Sequence, residues 1–219
     1  MARDRSGLEQ TAEMVKADGQ SCLVIEADLS TTAGAQTAGR TALSSVEHWD
    51  ILVNNAGVAT SQPLLEADPE VWDRTLAVNL RSALVLAQML VPAMLERRAG
   101  KVINVSSIGS FLGTPGLGAY AASKAALNQL TRTMAVEWGP FNVQVNAVCP
   151  TVILTDMGHK VWNDPARADE RREKEGRIPA GRFGEPQDVA GAVAFLAGPD
   201  SDFINGATIP IDGGLLVVP

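Results

Sequence analysis

The chain has 219 residues, 46% hydrophobic and 20% charged, which suffices for one sizeable core, and no composition shift or charge run marks off a second domain within 1–219. A formal charge of −7 excludes a nucleic-acid or anionic-membrane surface, since either wants clustered Lys and Arg, and leaves a small molecule as the expected partner. Cys22 and Cys149 each lie in an apolar run and are expected to be reduced and buried, which suits a cytoplasmic location. No eighteen-residue apolar stretch and no signal core is seen, and His48 and His159 stand apart from other ligands, so neither a membrane span nor a metal is assigned.

In chain order, Ser6 and Glu9 have the form of a capping box and Gly19 a stop, which predicts a helix over 7–18. Cys22–Glu26 then reads as a strand, 31–46 as an Ala- and Thr-rich helix, and Ile51–Val53 as a buried strand. Asp68 and Pro69 supply an N-cap and a first-turn proline for a long helix to about Arg98, with Pro92 a candidate kink, and Gly100 ends it before a strand at Lys101–Val105. A periodic segment at Tyr120–Trp138 leads into the strand Val143–Val148, and a long irregular stretch opens at Pro150. A last helix (Gln187–Ala197) and strand (Ala207–Ile211) follow. Apolar strands alternating with helices predict an α/β fold, a doubly wound parallel sheet covered on both faces.

Tyr120 and Lys124 are four apart, which on a helix places both on one face. A free phenol titrates near pH 10, and an ammonium held close favours the phenolate, so Lys124 would make Tyr120 a usable acid or base. The spacing alone is common; its neighbours give it weight. Ser107 lies at the end of a predicted strand, where an open α/β sheet presents its ligand site, and its hydroxyl could bond a substrate carbonyl. Asn54, Asn55, Ala56 and Gly57 follow another strand end, where small residues let backbone approach a flat ligand.

With Asn54-Asn55-Ala56-Gly57, Asn79, Ser107, Tyr120 and Lys124 all in order, the chain resembles the short-chain dehydrogenase/reductase family over essentially its whole length. The resemblance implies a Rossmann-like fold and a nicotinamide-dependent oxidoreductase. In it, Tyr120 exchanges a proton with the substrate oxygen, Ser107 steadies that oxygen, Lys124 lowers the tyrosine pKa and holds the nicotinamide ribose, and Asn79 anchors a relay water. It also places Asp28 and Leu29 against adenine, Asn55, Ala56 and Gly57 against the cofactor, and Ile153 and Thr155 near the nicotinamide carboxamide, and it matches Asp212, Gly213 and Gly214 to a C-terminal signature. Arg3 takes the place where a basic residue meets a 2′-phosphate, which favours NADP(H) over NAD(H).

One departure is large. The family opens with a strand, a glycine-rich loop and a helix that receive the pyrophosphate, and this sequence holds no such unit. Met1 is therefore expected to be internal to a longer frame, leaving the strands at Cys22 and Ile51 with unpaired edges, a fragment or late start that N-terminal sequencing and intact mass would test. Thr151, Asn79-Leu80-Arg81-Ser82 and Asn163-Asp164-Pro165 resemble the dicarbonyl and L-xylulose reductase branch, implying a ketose, polyol or dicarbonyl substrate. Residues 156–178 are expected to form a flap, with His159 and Trp162 lining the substrate pocket or Trp162 anchoring the flap instead. A 3-oxoacyl-thioester reductase is the rival substrate class, and a catalytically silent scaffold subunit the rival of another kind. Surplus apolar residues on the two long helices, such as Leu84, Val85 and Leu86, call for a further buried face, and the resemblance implies a tetramer built on them and on the C-terminal strand.

Overall fold

The computed structural model describes residues 1–218. Four parallel strands form the sheet in the order β1 (Ile51–Asn54), β2 (Gly100–Val105), β3 (Val143–Pro150) and β4 (Thr208–Ile211). Their register pairs Val53 with Ile103, Ile103 with Asn146, and Ala147 with Thr208. Parallel strands require crossovers, and helices supply them on both faces.

One face packs against α2 (Thr32–Ser45), α4 (Ser82–Arg97) and α5 (Gly118–Trp138), where Leu52, Val102, Val143 and Val145 meet Ala38, Leu86, Leu90, Met94 and Met134. Successive strand residues point to opposite faces, so Ile103 and Val148 instead meet Leu196 of α8 (Pro186–Ala197). Helix α8 covers β2 to β4 but not β1, whose Ile51 and Val53 remain 42% and 41% exposed. The expected doubly wound sheet is present, bare on one face of its first strand.

Chain entry into the long helical run follows its local signals. Asp68 accepts from the Glu70 amide at 2.8 Å and Pro69 begins α3 (Pro69–Leu76), which passes through a π turn at Ala77–Arg81 into α4. This 29-residue stretch is long and apolar enough to span a bilayer by composition, yet Ala87, Val91 and Met94 are buried against the sheet, as in the core helix of a globular domain. Pro92 lies within α4, and the helix ends on Arg98 in the left-handed region, held by its own Nη2 on the Pro140 carbonyl at 2.7 Å.

Two expectations fail at the N-terminus. Cys22–Glu26 is not a strand; only an isolated parallel bridge joins Ala2 to Glu26, with the Ala27 amide on the Ala2 carbonyl at 2.9 Å. A strand exists only through its neighbours, and a five-residue apolar run with one bridging partner has no ladder to join. Cys22 is accordingly half-buried rather than buried, while Cys149 is buried, and both are free. The first helix, α1 (Arg5–Ala17), begins before the supposed capping box. Asp4 is its N-cap, without a side-chain capping bond, and Ser6 lies inside the first turn. Between the Ala2–Glu26 bridge and the free edge of β1 runs a cleft of about 430 Å³, lined by Met1, Ala2, Leu29, Leu52, Asn54 and Leu86 among others.

The stretch after β3, expected to be irregular, holds α6 (Asp156–Trp162) and α7 (Ala168–Gly176). This excursion is closed at its base by an Ile153–Gly184 bridge, with the Leu154 amide on the Gly184 carbonyl at 2.8 Å and the Gly184 amide on the Val152 carbonyl at 3.0 Å. Gly213 and Gly214 adopt positive φ values of 61° and 92°, and the Gly213 carbonyl accepts from Ala180 at 3.0 Å, so the C-terminal turn pins the far end of the flap.

Candidate active site

The site forms at the C-terminal ends of β1, β2 and β3, where strands give way to loops. Helix α5 carries Tyr120 and Lys124 one turn apart, and the turn after β2 carries Ser107. The convergence is tight around Gly109: a β-carbon built there would lie 3.4 Å from Ser107 Oγ and 3.6 Å from Tyr120 Cε1. Ser107 Oγ accepts from the Gly109 amide at 3.1 Å and lies 3.5 Å from the Pro150 carbonyl, a weak contact that leaves its proton free to turn to a substrate oxygen.

Lys124 is 3% exposed, and its Nζ donates to the Val105 carbonyl at 2.8 Å, 5.7 Å from the centre of the Tyr120 ring. Burial pushes its pKa down to about 8. Burial also dominates at Tyr120, raising the phenol above its ordinary value, with hydrogen bonding from Ser107 pulling down and the nearby Cys149 pushing up. The expectation that Lys124 holds the Tyr120 pKa down is thus not met in this structure. Desolvation dominates at the phenol, while the Lys124 ammonium is turned to the Val105 carbonyl at the end of β2.

Asn79 is placed by the π turn, a local widening that recurs at functional sites because it re-aims one side chain out of helical register. Its Nδ2 donates to the Val58 carbonyl (2.9 Å) and to Ser123 Oγ (3.0 Å), and its Oδ1 accepts from the Val58 amide (2.8 Å). Asn79 therefore clamps the loop after β1 to the helix carrying Tyr120. Gly57 lies inside that clamp, where a β-carbon would come within 3.4 Å of Lys124 Nζ and 3.5 Å of Asn79 Oδ1. A side chain at 57 would fill the space between these two polar groups. Asn55 and Ala56 line the adjoining cleft.

At the other end, Leu29 is buried at the cleft wall, and the Asp28 carboxylate accepts from the Ser30 amide at 3.0 Å. That bond and, more weakly, the positive charges of Arg3 and Arg74 hold Asp28 below the usual carboxylate range. Thr155 caps α6, its hydroxyl accepting from Gly158 at 3.2 Å, and Ile153 forms the base of the flap.

Trp162 takes the second of the two roles expected of it. Trp162 packs at a tilt of 58° on Phe183 with centroids 5.1 Å apart, lies under Arg167 and Lys174 at 5.0 Å each, and belongs to a cluster with Leu154, Ile178 and Phe183. It anchors the flap. His159 is exposed, and its Nδ1 meets Asn163 Nδ2 at 3.2 Å within the same helical turn. Both side chains answer to flap residues because α6 orders the flap on its own terms, a helix that the irregular reading of 150–186 did not foresee.

Sequence reasoning missed the buried polar residues behind the site. Asn54 Nδ2 donates to Asn104 Oδ1 and Asn104 Nδ2 to Thr131 Oγ1, both at 2.8 Å, a ladder across β1, β2 and α5. Ser106 Oγ donates to the Lys124 carbonyl at 3.1 Å. Ser123 and Asn128 share the inward face of α5 with Tyr120 and Lys124, and their spacing along the helix was the available signal.

Comparison with known proteins agrees with this geometry. A family described as enoyl-(acyl carrier protein) reductase matches residues 1–216. The chain belongs to the short-chain dehydrogenase/reductase family. It is 43% identical to bovine (Bos taurus) L-xylulose reductase over 80% of this chain and 71% of that protein. With carbonyl reductase [NADPH] 2 of Sus scrofa it shares 42% over 84% and 74%. A crystal structure of a gluconate 5-dehydrogenase from Burkholderia cenocepacia with NADP and tartrate superposes with a TM-score of 0.89 at 33% identity, covering 99% of this chain and 84% of that one. The chain is an NAD(P)-dependent dehydrogenase or reductase.

Proposed function

We propose that this short-chain dehydrogenase/reductase reduces a small ketose or dicarbonyl compound with NADPH, or oxidises the matching polyol with NADP+. The observation that carries the proposal is that the Ser107 hydroxyl and the edge of the Tyr120 ring flank Gly109, close enough for Ser107 to act on the phenol by hydrogen bonding, with Lys124 buried beside the ring. Two neighbouring hydroxyl groups can hold one substrate oxygen while a proton passes, and a nicotinamide bound beside Gly57 would supply the hydride. In reduction Tyr120 gives its proton to the developing alkoxide, and Ser107 fixes the position of that oxygen. In oxidation the phenolate takes the proton back. Lys124 faces the ribose side of that nicotinamide site, and Asn79 holds the loop that carries Gly57.

Substrate class follows from similarity to relatives whose names specify xylulose, carbonyl and gluconate chemistry. An acyl-carrier substrate would want an unpaired basic strip at the mouth. On the flap Arg167 pairs with Glu170 (3.0 Å), Arg171 with Glu175 (2.9 Å), Lys174 with Glu170 (3.5 Å) and Arg172 with Asp169, which spends this positive charge internally. A silent scaffold would need none of the four converging side chains. Arg3, at the place where the family resemblance sets a basic residue against a 2′-phosphate, supports NADP(H) over NAD(H). Leu84 (36% exposed), Val136 (77%), Phe203 (103%) and Val217 (85%) leave apolar surface that supports a homo-oligomer, a tetramer by family likeness, and the free Cys22 and Cys149 suit a cytoplasmic location.

Titration of the purified chain with NADPH and then NADH, followed by quenching of tryptophan fluorescence, tests the proposal together with a panel of ketoses and polyols. Saturable binding tighter for NADPH, with ketose-dependent NADPH consumption, is expected. Tighter NADH binding overturns the cofactor preference, and cofactor binding with turnover of acyl thioesters alone overturns the substrate class.

A further inference from the structure

Helix α5 carries a third polar residue on the stripe of Tyr120 and Lys124. Asn128 lies one further turn along and is 3% exposed. Its Nδ2 donates to Ser110 Oγ at 2.7 Å, and Ser110 Oγ donates to the Ser107 carbonyl at 2.6 Å, reinforcing the Ser110 amide on the same carbonyl at 3.1 Å. On its other side Asn128 Oδ1 faces Cys149 Sγ of β3 at 3.8 Å. Three elements meet here: the catalytic helix, the end of β3 and the Ile108–Ser110 turn that presents Ser107.

The arrangement amounts to a strut. The end of β2 is tied to α5 as far as Ser106, through Lys124 Nζ on the Val105 carbonyl and Ser106 Oγ on the Lys124 carbonyl, and the turn beyond it is tied to the helix by Asn128 on Ser110. A buried amide with both ends engaged is costly to displace, because moving it leaves polar atoms unpaired away from water. The direction of donation is also determined: Ser110 has one proton, committed to Ser107, and so must accept from Asn128. We infer that Asn128 and Ser110 are positioning residues that set the separation of the Ser107 hydroxyl and the Tyr120 phenol, and that they thereby govern how well the two hold one substrate oxygen. This rests on the carbonyl-reductase reading of the site.

The predicted consequence is specific. Oxygen-binding geometry that loosens by about an ångström costs up to about a hundredfold in rate, while nucleotide contacts elsewhere are untouched. Asn128→Leu is expected to lower kcat for carbonyl reduction by about ten- to a hundredfold and raise KM for the carbonyl, with KM for the nucleotide within about twofold. Ser107 hydrogen bonding also favours the phenolate, so weakening it moves the pH midpoint of alcohol oxidation upward. The titratable groups facing Tyr120 are Lys124 on its own helix and Cys149 from β3, and both are retained in the variants.

Tyr120 is the one tyrosine in the sequence, so ring-labelled ¹³C-tyrosine gives a single Cζ resonance that reports its hydroxyl directly, whether or not a substrate has been found. Ser107→Ala serves as the reference for loss of the Ser107 bond. The strut requires Asn128→Leu and Ser110→Ala to move the resonance in the same direction as Ser107→Ala, Ser110→Thr to restore it, and the Asn128→Leu/Ser110→Ala double variant to be no worse than the poorer single. A resonance that moves in Ser107→Ala but stays in the other two, or strictly additive activity losses, overturns the inference. If Asn128→Leu does not fold, the milder Ser110→Ala and Ser110→Thr pair decides by the same resonance. A wild-type chain that turns over no carbonyl refutes the functional reading and leaves this measurement intact.

Discussion

Replacing Lys124 with methionine should stabilise the protein at neutral pH while destroying its activity. Lys124 is 3% exposed and titrates at about 8, against 10.5 for an ordinary lysine. Between those two values the unfolded chain binds a proton that the folded chain has released, so stability rises with pH across this window. Below pH 8 the full cost of holding the group in the fold is present; above 10.5 it is gone. At about 1.4 kcal/mol per tenfold change in proton affinity, the gap amounts to about 3 kcal/mol. Lys124→Met keeps the apolar stem and removes the titrating group. It also forfeits the bond to the Val105 carbonyl, worth about 1–3 kcal/mol, but that loss is nearly the same at both ends of the window. The difference in unfolding free energy, variant minus wild type, should therefore be about 3 kcal/mol more favourable to the variant at pH 7 than at pH 10.5. Urea unfolding followed by tryptophan fluorescence at the two pH values measures it, and titrating groups not coupled to Lys124 cancel between the proteins. A difference that does not change with pH would mean that Lys124 titrates like a surface lysine, and the desolvation argument would fall.

Three other substitutions probe different parts of the same framework. Tyr120→Phe should reduce turnover by about a hundred- to ten-thousandfold with little change in the thermal midpoint. In the wild type, because burial raises the phenol, reduction should hold through neutral pH and decline only in alkali as the proton is lost, with oxidation showing the opposite trend; a reduction rate already falling at neutral pH would contradict this. Asn104→Leu strands the Asn54 amide and breaks the link to Thr131, and should cost about 1–3 kcal/mol in a denaturant titration for each buried group left unpaired; an unchanged midpoint would mean water satisfies that ladder. Gly213→Ala forces a side chain into φ 61° and brings its β-carbon to 2.7 Å from Ile178 Cγ2 and 2.9 Å from Ala180 Cβ. The strain and crowding should cost about 1–3 kcal/mol and speed proteolysis within 155–183, and equal cleavage rates would show that the C-terminal turn does not hold the flap.

What could be read in the sequence was whatever depends on neighbours along the chain. Asp68 and Pro69 start a helix through groups two residues apart, and Tyr120 with Lys124 share a face because four residues make about one turn. What escaped depends on partners brought together by the fold. Asn128 meets Ser110 across 18 residues and Cys149 across 21, so its helical spacing could place it on the face of Tyr120 and Lys124 but could not name what it meets there. The segment at Cys22–Glu26 errs in the other direction, having the composition of a strand and a single bridging partner. Asn79 combines both cases. Its place in the chain order was legible, but the π turn that aims it at Val58 and Ser123 was not, because an i→i+5 turn leaves no composition signal in an Ala-Val-Asn-Leu-Arg run. The same distinction holds for the chemistry. Spacing alone suggested that Lys124 lowers the Tyr120 pKa, whereas the fold buries both groups and turns the ammonium to the Val105 carbonyl, so the effect that prevails is set by desolvation, which a linear pattern does not encode.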